Sequence, residues 1–246
     1  MEKYNVIRYL SSMSNYIQEF ILADPMFISN LCVGMQVDLN DIYGIVDGTK
    51  RITPELDGKM CRFLHQNIGF WLKLQDICDG YRGVLDALDN KGTIVFLDID
   101  GVLSNYSYPQ EMRDDELYKS KHVWSVLVNR FNALCKSINA SIVLSSTWRY
   151  SCNHLHDARE MLSNAGIESD CIGMTIRENL NVTRADAISE WIRRKMADDC
   201  MIVVIDDEKY ALPEYNRILK IDVDGKTGLT DDDCNEIIGN YSEWTT

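Results

Sequence analysis

Proline is scarce in this chain, four in 246 residues, and its eight cysteines contain no C-x-x-C pair. Neither a Pro-rich linker nor a metal-cluster or disulfide framework has the spacing it would need. Cys32, Cys61, Cys78, Cys135, Cys152, Cys171, Cys200 and Cys234 are scattered, several of them inside apolar runs, as buried free thiols are. That usage fits a reducing, cytoplasmic setting. No apolar run approaches the roughly 18 residues of a membrane span, and residues 1–5 open no signal-peptide core. A soluble intracellular protein with no membrane partner is therefore expected. Positive charge is also in short supply: 25 basic against 38 acidic residues give a net charge of -13. Split at residue 90, the chain carries 8 minus 12, or -4, and then 17 minus 26, or -9. Neither part is a basic module, which argues against non-specific binding to phosphate backbones. Repeats, low-complexity runs and long linkers are absent as well.

What is present is a globular composition, 46% hydrophobic and 26% charged, in two regions of different period. Residues 1–90 read as helices only, an all-α domain. Ile7, Leu10, Ile17, Phe20 and Ile21 recur at helical spacing. Thr53-Pro54-Glu55 is a helix start, with an N-cap hydroxyl, proline at the first helical position and an acid in the first turn. Leu56, Met60, Phe63 and Leu64 then line one face, and Phe70-Trp71-Leu72-Lys73-Leu74 opens another helix.

Residues 91–246 alternate strand and helix, with the boundary near residues 88–92. The run Ile94-Val95-Phe96-Leu97 ends in Asp98-Ile99-Asp100-Gly101, a strand buried on both faces with two carboxylates at its carboxyl end. Further strands are predicted at 141–145, 171–175, 200–205 and 218–223. Helical stripes fall at Val123, Leu127, Phe131, Cys135 and Ile138, at Leu155, Ala158, Leu162 and Ala165, and across 185–196. This order predicts an α/β fold with a doubly wound, mostly parallel sheet, which binds ligands beyond the carboxyl ends of its strands.

Three more strand ends complete a constellation. Ser146, Thr147, Trp148 and Arg149 follow the second strand, where hydroxyls and backbone N–H groups can hold phosphoryl oxygens. Thr183-Arg184 opens a helix with a guanidinium able to neutralise phosphate. Asp206-Asp207 ends the fourth strand. Four acids converging on one sheet edge call for a cation, and an all-oxygen ligand set suits Mg²⁺.

In this order the segments resemble the haloacid dehalogenase (HAD) superfamily of phosphatases. The nearest likeness is to the phosphatase domain of phage polynucleotide kinase–phosphatases and to HAD domains of RNA-repair proteins. The resemblance implies a Rossmann-like sheet, Asp98 as nucleophile, Asp100 as general acid and base, and Ser146 on a phosphoryl oxygen with Ser145 as alternative. Thr147 and Arg149 would support substrate. Arg184 would stand where the superfamily usually has lysine, with Arg177 and Lys195 as alternatives. Asp98, Asp206, Asp207 and the backbone carbonyl of Asp100 would hold Mg²⁺. The short stretches 103–141 and 150–183 leave no room for a sizeable cap. A capless site suits a macromolecular ester, so the substrate implied is a phosphorylated nucleic-acid end or a nucleotide. A basic funnel from Arg149, Arg184, Arg193, Arg194 and Lys195 would have to offset the net acidity. Alternatives are a protein phosphatase and a regulator whose HAD domain senses a ligand.

The stretch from Asp47 through Glu55, with Phe70 through Gln75, resembles the helix-turn-helix domain of HigA-type antitoxins. That implies a recognition helix near 37–46. It carries Asp38 and Asp41 and no Lys or Arg, so DNA binding is less expected than homodimerisation or protein contact.

Overall fold

In the computed structural model, residues 2–13, 15, 25–105, 121–177 and 181–246 are described, and the chain divides into two compact units, Met1–Leu85 and Asp86–Thr246. The expected stripe residues Ile17, Phe20 and Ile21 lie outside the described residues.

The first unit is helical: α1 (Glu2–Leu10), α2 (Pro25–Met35), α3 (Leu39–Val46), α4 (Pro54–Phe63) and α5 (Phe70–Asp89), the last running four residues into the second unit. Its core gathers Met35, Ile42, Ile45, Ile52, Met60, Cys61, Trp71 and Leu72. Thr53 caps α4 as its sequence predicts, its hydroxyl accepting from the Leu56 N–H with Pro54 in the first turn. Asp57, 1% exposed, accepts from the Gly69, Trp71 and Leu72 N–H groups, which lie at the start of α5. Gln75 grips Ile52 through both amide atoms, accepting from its N–H and donating to its C=O. Thr53, Trp71, Leu72 and Gln75 of the antitoxin-like pattern thus help fasten α4, α5 and the chain before α4.

The second unit holds β1 (Thr93–Leu97), α6 (Ser125–Ser137), β2 (Ala140–Leu144), a 3-10 helix (Thr147–Ser151), α7 (Leu155–Asn164), β3 (Cys171–Met174), α8 (Arg184–Lys195), β4 (Met201–Asp206), β5 (Ile218–Asp222) and α9 (Asp231–Thr245). Its sheet is parallel throughout, in the order β3-β2-β1-β4-β5. Side chains alternate across it. Val95, Leu97, Ile142, Leu144, Val203 and Ile205 pack with Leu127 and Phe131 of α6, Leu155 and Ala158 of α7, and Cys234 and Ile237 of α9. On the other face, Phe96 meets Trp191 of α8 edge-on, ring centroids 5.5 Å apart. Burying each such side chain contributes about 1.5–3 kcal/mol, so the alternation holds the register.

No described helix is long and apolar enough to cross a membrane. All eight cysteines are free and buried, and burial pushes the Cys135 and Cys171 thiols up to about 12.

Candidate active site

Strand register builds the site. Leu97 pairs with Leu144 and Ile205, and Leu144 pairs with Met174. The next residue of each strand, Thr175, Ser145, Asp98 and Asp206, therefore falls into one row at the carboxyl edge. The ladder continues into that row: Asp98 N–H donates to Ile205 O at 3.0 Å, Ser145 N–H to Leu97 O at 2.9 Å and Thr175 N–H to Leu144 O at 3.1 Å. Leu97, Leu144 and Ile205 face α6, α7 and α9, so alternation turns the row toward α8. All four residues are buried, with Asp98 4% and Asp206 0% exposed.

α8 brings in a cation at its first residue, and a Thr183–Asp186 capping box fixes that helix start. Arg184 Nη1 donates to Asp98 Oδ2 at 2.5 Å and to Asp206 Oδ2 at 2.9 Å, while its Nε lies 3.8 Å from Glu208 Oε2. Asp98 Oδ1 accepts from the Ile99 N–H at 2.7 Å. Asp206 also accepts from the Tyr210 hydroxyl at 2.7 Å and the Glu208 N–H at 2.9 Å. Burial pushes the Asp98 carboxyl up to about 6; Arg184 pulls against this and Asp206 adds to it. Burial also opposes the charge on Arg184, but Asp98 and Asp206 overcome it and hold the guanidinium above its usual range.

Asp207 completes an acidic cluster. Gly101 has φ +79°, and a Cβ there would lie 2.3 Å from Asp207 Oδ2. The bare Cα is what lets this carboxylate approach the loop after β1. Asp98, Asp206 and Asp207 each offer an oxygen, all within 4.8 Å of one another, a group that can hold a metal ion. Oxygen-only donors in excess of the single guanidinium fit a hard divalent cation.

The remaining sequence candidates divide clearly. Asp100 accepts from Trp148 Nε1 at 3.3 Å. Ser146, 0% exposed, spends its hydroxyl as the cap of the 3-10 helix, accepting from the Trp148 N–H. The Ser145 hydroxyl, one residue earlier and in the row with Asp98, has no hydrogen-bond partner, and neither has that of Thr175. Thr147 is exposed on the first turn of the 3-10 helix. Arg149, expected to reach substrate, is 3% exposed and donates instead to the carbonyls of Ser145, Ser146 and Ile176, so it braces the loops. The basic funnel does not form as expected: Arg193 and Arg194 pair with Glu190, and Lys195 ends α8 at the opposite end from Arg184. Arg177 donates to the Tyr150 carbonyl. The sequence assigns no site role to Glu208, which closes the motif around Asp206-Asp207, or to Thr175, which ends an expected strand, and Tyr210 carries no spacing signal.

One further observation decides the family. Residues 94–234, more than half of the chain, match the model for the HAD domain in Swiss Army Knife RNA repair proteins. The chain belongs to that family. The matched span of this HAD domain includes the whole row, Arg184 and Asp207 just beyond β4. No curated protein and no solved structure matches the chain.

Proposed function

We propose that this HAD domain is a Mg²⁺-dependent phosphomonoesterase that removes phosphate from nucleic-acid ends or nucleotides through an aspartyl-phosphate. The observation that carries the reading is Asp98, a buried carboxylate in the row that shares Arg184 with Asp206 and clusters with Asp206 and Asp207. Family membership in RNA-repair HAD domains supports the substrate class. Residues 91–246 would form the catalytic domain and 1–90 a helical one. The free buried thiols support a reducing, cytoplasmic setting.

In this reading an Asp98 oxygen attacks phosphorus; the O–P bond to Asp98 forms as the ester P–O bond breaks. Asp100 gives its proton to the departing alkoxide. An indole N–H can only donate, so Trp148 anchors Asp100 through Oδ1 and leaves Oδ2 as the oxygen that would exchange the proton. Asp100 then takes a proton from water, which attacks phosphorus and releases Asp98 and inorganic phosphate. Ser145 is the better donor to a phosphoryl oxygen, because its hydroxyl has no partner and the Ser146 hydroxyl is committed to a cap. Arg184 balances charge on Asp98 and the phosphoryl group. Asp98, Asp206, Asp207 and the Asp100 carbonyl would hold Mg²⁺, which when bound neutralises the carboxylates and the phosphoryl oxygens. The described chain after β2 holds only the 3-10 helix and α7 before β3, which supports an open site.

The test is phosphate release with Mg²⁺ and with chelator, on 3′- and 5′-phosphorylated RNA and DNA oligomers, mononucleotides and a phosphopeptide, with Asp98→Asn as control. Mg²⁺-dependent release from nucleic acid or nucleotide, lost in the variant, is expected. Release from the phosphopeptide alone would replace this reading with protein dephosphorylation, and no release at all would favour a ligand-sensing regulator.

For the helical domain, protein contact or homodimerisation is favoured over DNA. Lys50 is paired with Asp41 and Arg51 with Asp79, while Leu39 and Tyr43 of α3 are 40% and 49% exposed. Tight operator binding at low salt would overturn this.

A further inference from the structure

The loops after β2 and β3 carry a stack that none of the catalytic roles uses. The Tyr150 ring has the Arg149 guanidinium 4.8 Å and the Arg177 guanidinium 5.2 Å from its centroid. Arg149 is buried beneath, bonded to carbonyls of both loops, and so fastens the stack to the sheet edge. Arg177 and Tyr150 are exposed, Tyr150 by 38%. Arg177 Nη2 donates to the Tyr150 carbonyl at 2.7 Å, and no carboxylate among the described residues pairs with Arg177. Arg130, Arg159, Arg193 and Arg194, by contrast, all lie against acids. Trp148, two residues before Tyr150, touches Asp100, so Tyr150 and Arg149 belong to the same short helix that borders the site.

We propose that Tyr150 and Arg177 form a subsite for the nucleotide next to the scissile phosphate, making a single-stranded polynucleotide end the substrate class. This rests on the phosphatase reading above. A fixed guanidinium plane beside an aromatic ring offers a cation to a neighbouring phosphate and a flat surface to a base, with no preference for sequence. In a chain of net charge -13, which repels an anionic polymer, such a local cation is required. A phosphopeptide brings neither a second phosphate nor a base, so it gains nothing from this surface.

The test uses Arg177→Gln, which keeps an amide donor for the Tyr150 carbonyl and removes the charge, and Tyr150→Leu. Binding of a labelled, phosphorylated five-nucleotide RNA is measured in an Asp98→Asn background across salt concentrations. Turnover of the same RNA and of p-nitrophenyl phosphate is measured with Asp98 intact. Expected are about tenfold weaker RNA binding for Arg177→Gln and a salt slope reduced by about 0.7, the value for one lost single-strand phosphate contact. The ratio of kcat/KM for RNA to that for p-nitrophenyl phosphate should fall about tenfold in both variants. Unchanged RNA binding, a parallel fall on both esters, or an equal loss of phosphopeptide binding would each overturn the subsite. Phosphate release with RNA binding indifferent to Arg177 would sink the subsite alone. Arg177-dependent binding by a wild-type chain that releases no phosphate would sink the phosphatase reading alone.

Discussion

Two aspartates, both nearly excluded from water, mark the difference between the halves of this chain. Asp57 in the helical unit is 1% exposed and receives three backbone N–H groups ahead of and within the first turn of α5. Asp98 at the sheet edge is 4% exposed, and its neighbours are two more carboxylates, a guanidinium and a single N–H. Burial alone therefore does not mark a reacting group. Asp57 is surrounded by fixed donors that ask only for an acceptor, and its task is complete when the chain is folded. Asp98 sits among groups whose charges do not balance, and balance requires something brought from outside.

The sharpest way to break this comparison is to neutralise each aspartate. Asp98→Asn should lower phosphate release by at least about 10³-fold while leaving the thermal transition as high as in the parent or higher. Asp57→Ala should do the opposite, costing about 3 kcal/mol in denaturant unfolding because three buried N–H groups lose their acceptor. Equal stability losses would erase the distinction.

Gly101→Ala comes next. A methyl group there meets the Asp207 carboxylate on a backbone of φ +79°, so Mg²⁺ affinity by calorimetry should fall about tenfold or more. Unaltered affinity would remove Asp207 from the metal site.

The adjacent serines offer a finer contrast. Ser145→Ala deletes a hydroxyl without a partner and should lower kcat/KM by about 10²-fold with little change in stability. Ser146→Ala removes a helix cap and should cost about 1 kcal/mol of stability with a smaller effect on turnover.

The smallest effect is one of pH. The folded chain holds the Asp98 proton to about 6 against an ordinary 3.8, so it binds that proton more tightly than the unfolded chain does. Stability of the metal-free protein should fall as pH rises through that window, and Asp98→Asn should flatten the slope. Mg²⁺ competes with the same proton, so its affinity should weaken below about pH 6. Melting curves with chelator and with Mg²⁺ at a series of pH values test both.

The parallel sheet was legible because a strand buried on both faces is an unbroken apolar run, and its acids are conspicuous where that run stops. The end of such a run is less legible. Ser141 to Ser145 reads as a strand, but pairing covers Ala140–Leu144, and that one-residue shift decides which serine stands beside Asp98. Helix α9 has apolar residues too sparse to announce a stripe, although Thr230 and Asp233 form its capping box. Arg149 defied reading for another reason: a guanidinium consumed by carbonyls of two separate loops is defined by tertiary structure alone. The signature at Asp47–Glu55 and Phe70–Gln75 is a family resemblance, whereas Thr53, Trp71 and Gln75 within it also have plain structural work in capping and clamping.

The single row formed by Thr175, Ser145, Asp98 and Asp206 also makes the chemistry error-proof. A strand slipped by one residue would turn its member of the row to the wrong face, and would at the same time expose every apolar side chain it had buried. Misassembled versions of the site are thus also badly folded ones, removed with the unfolded chains rather than surviving as folded but inactive protein. The core, selected only for staying dry, acts as proofreader for the four residues at its edge.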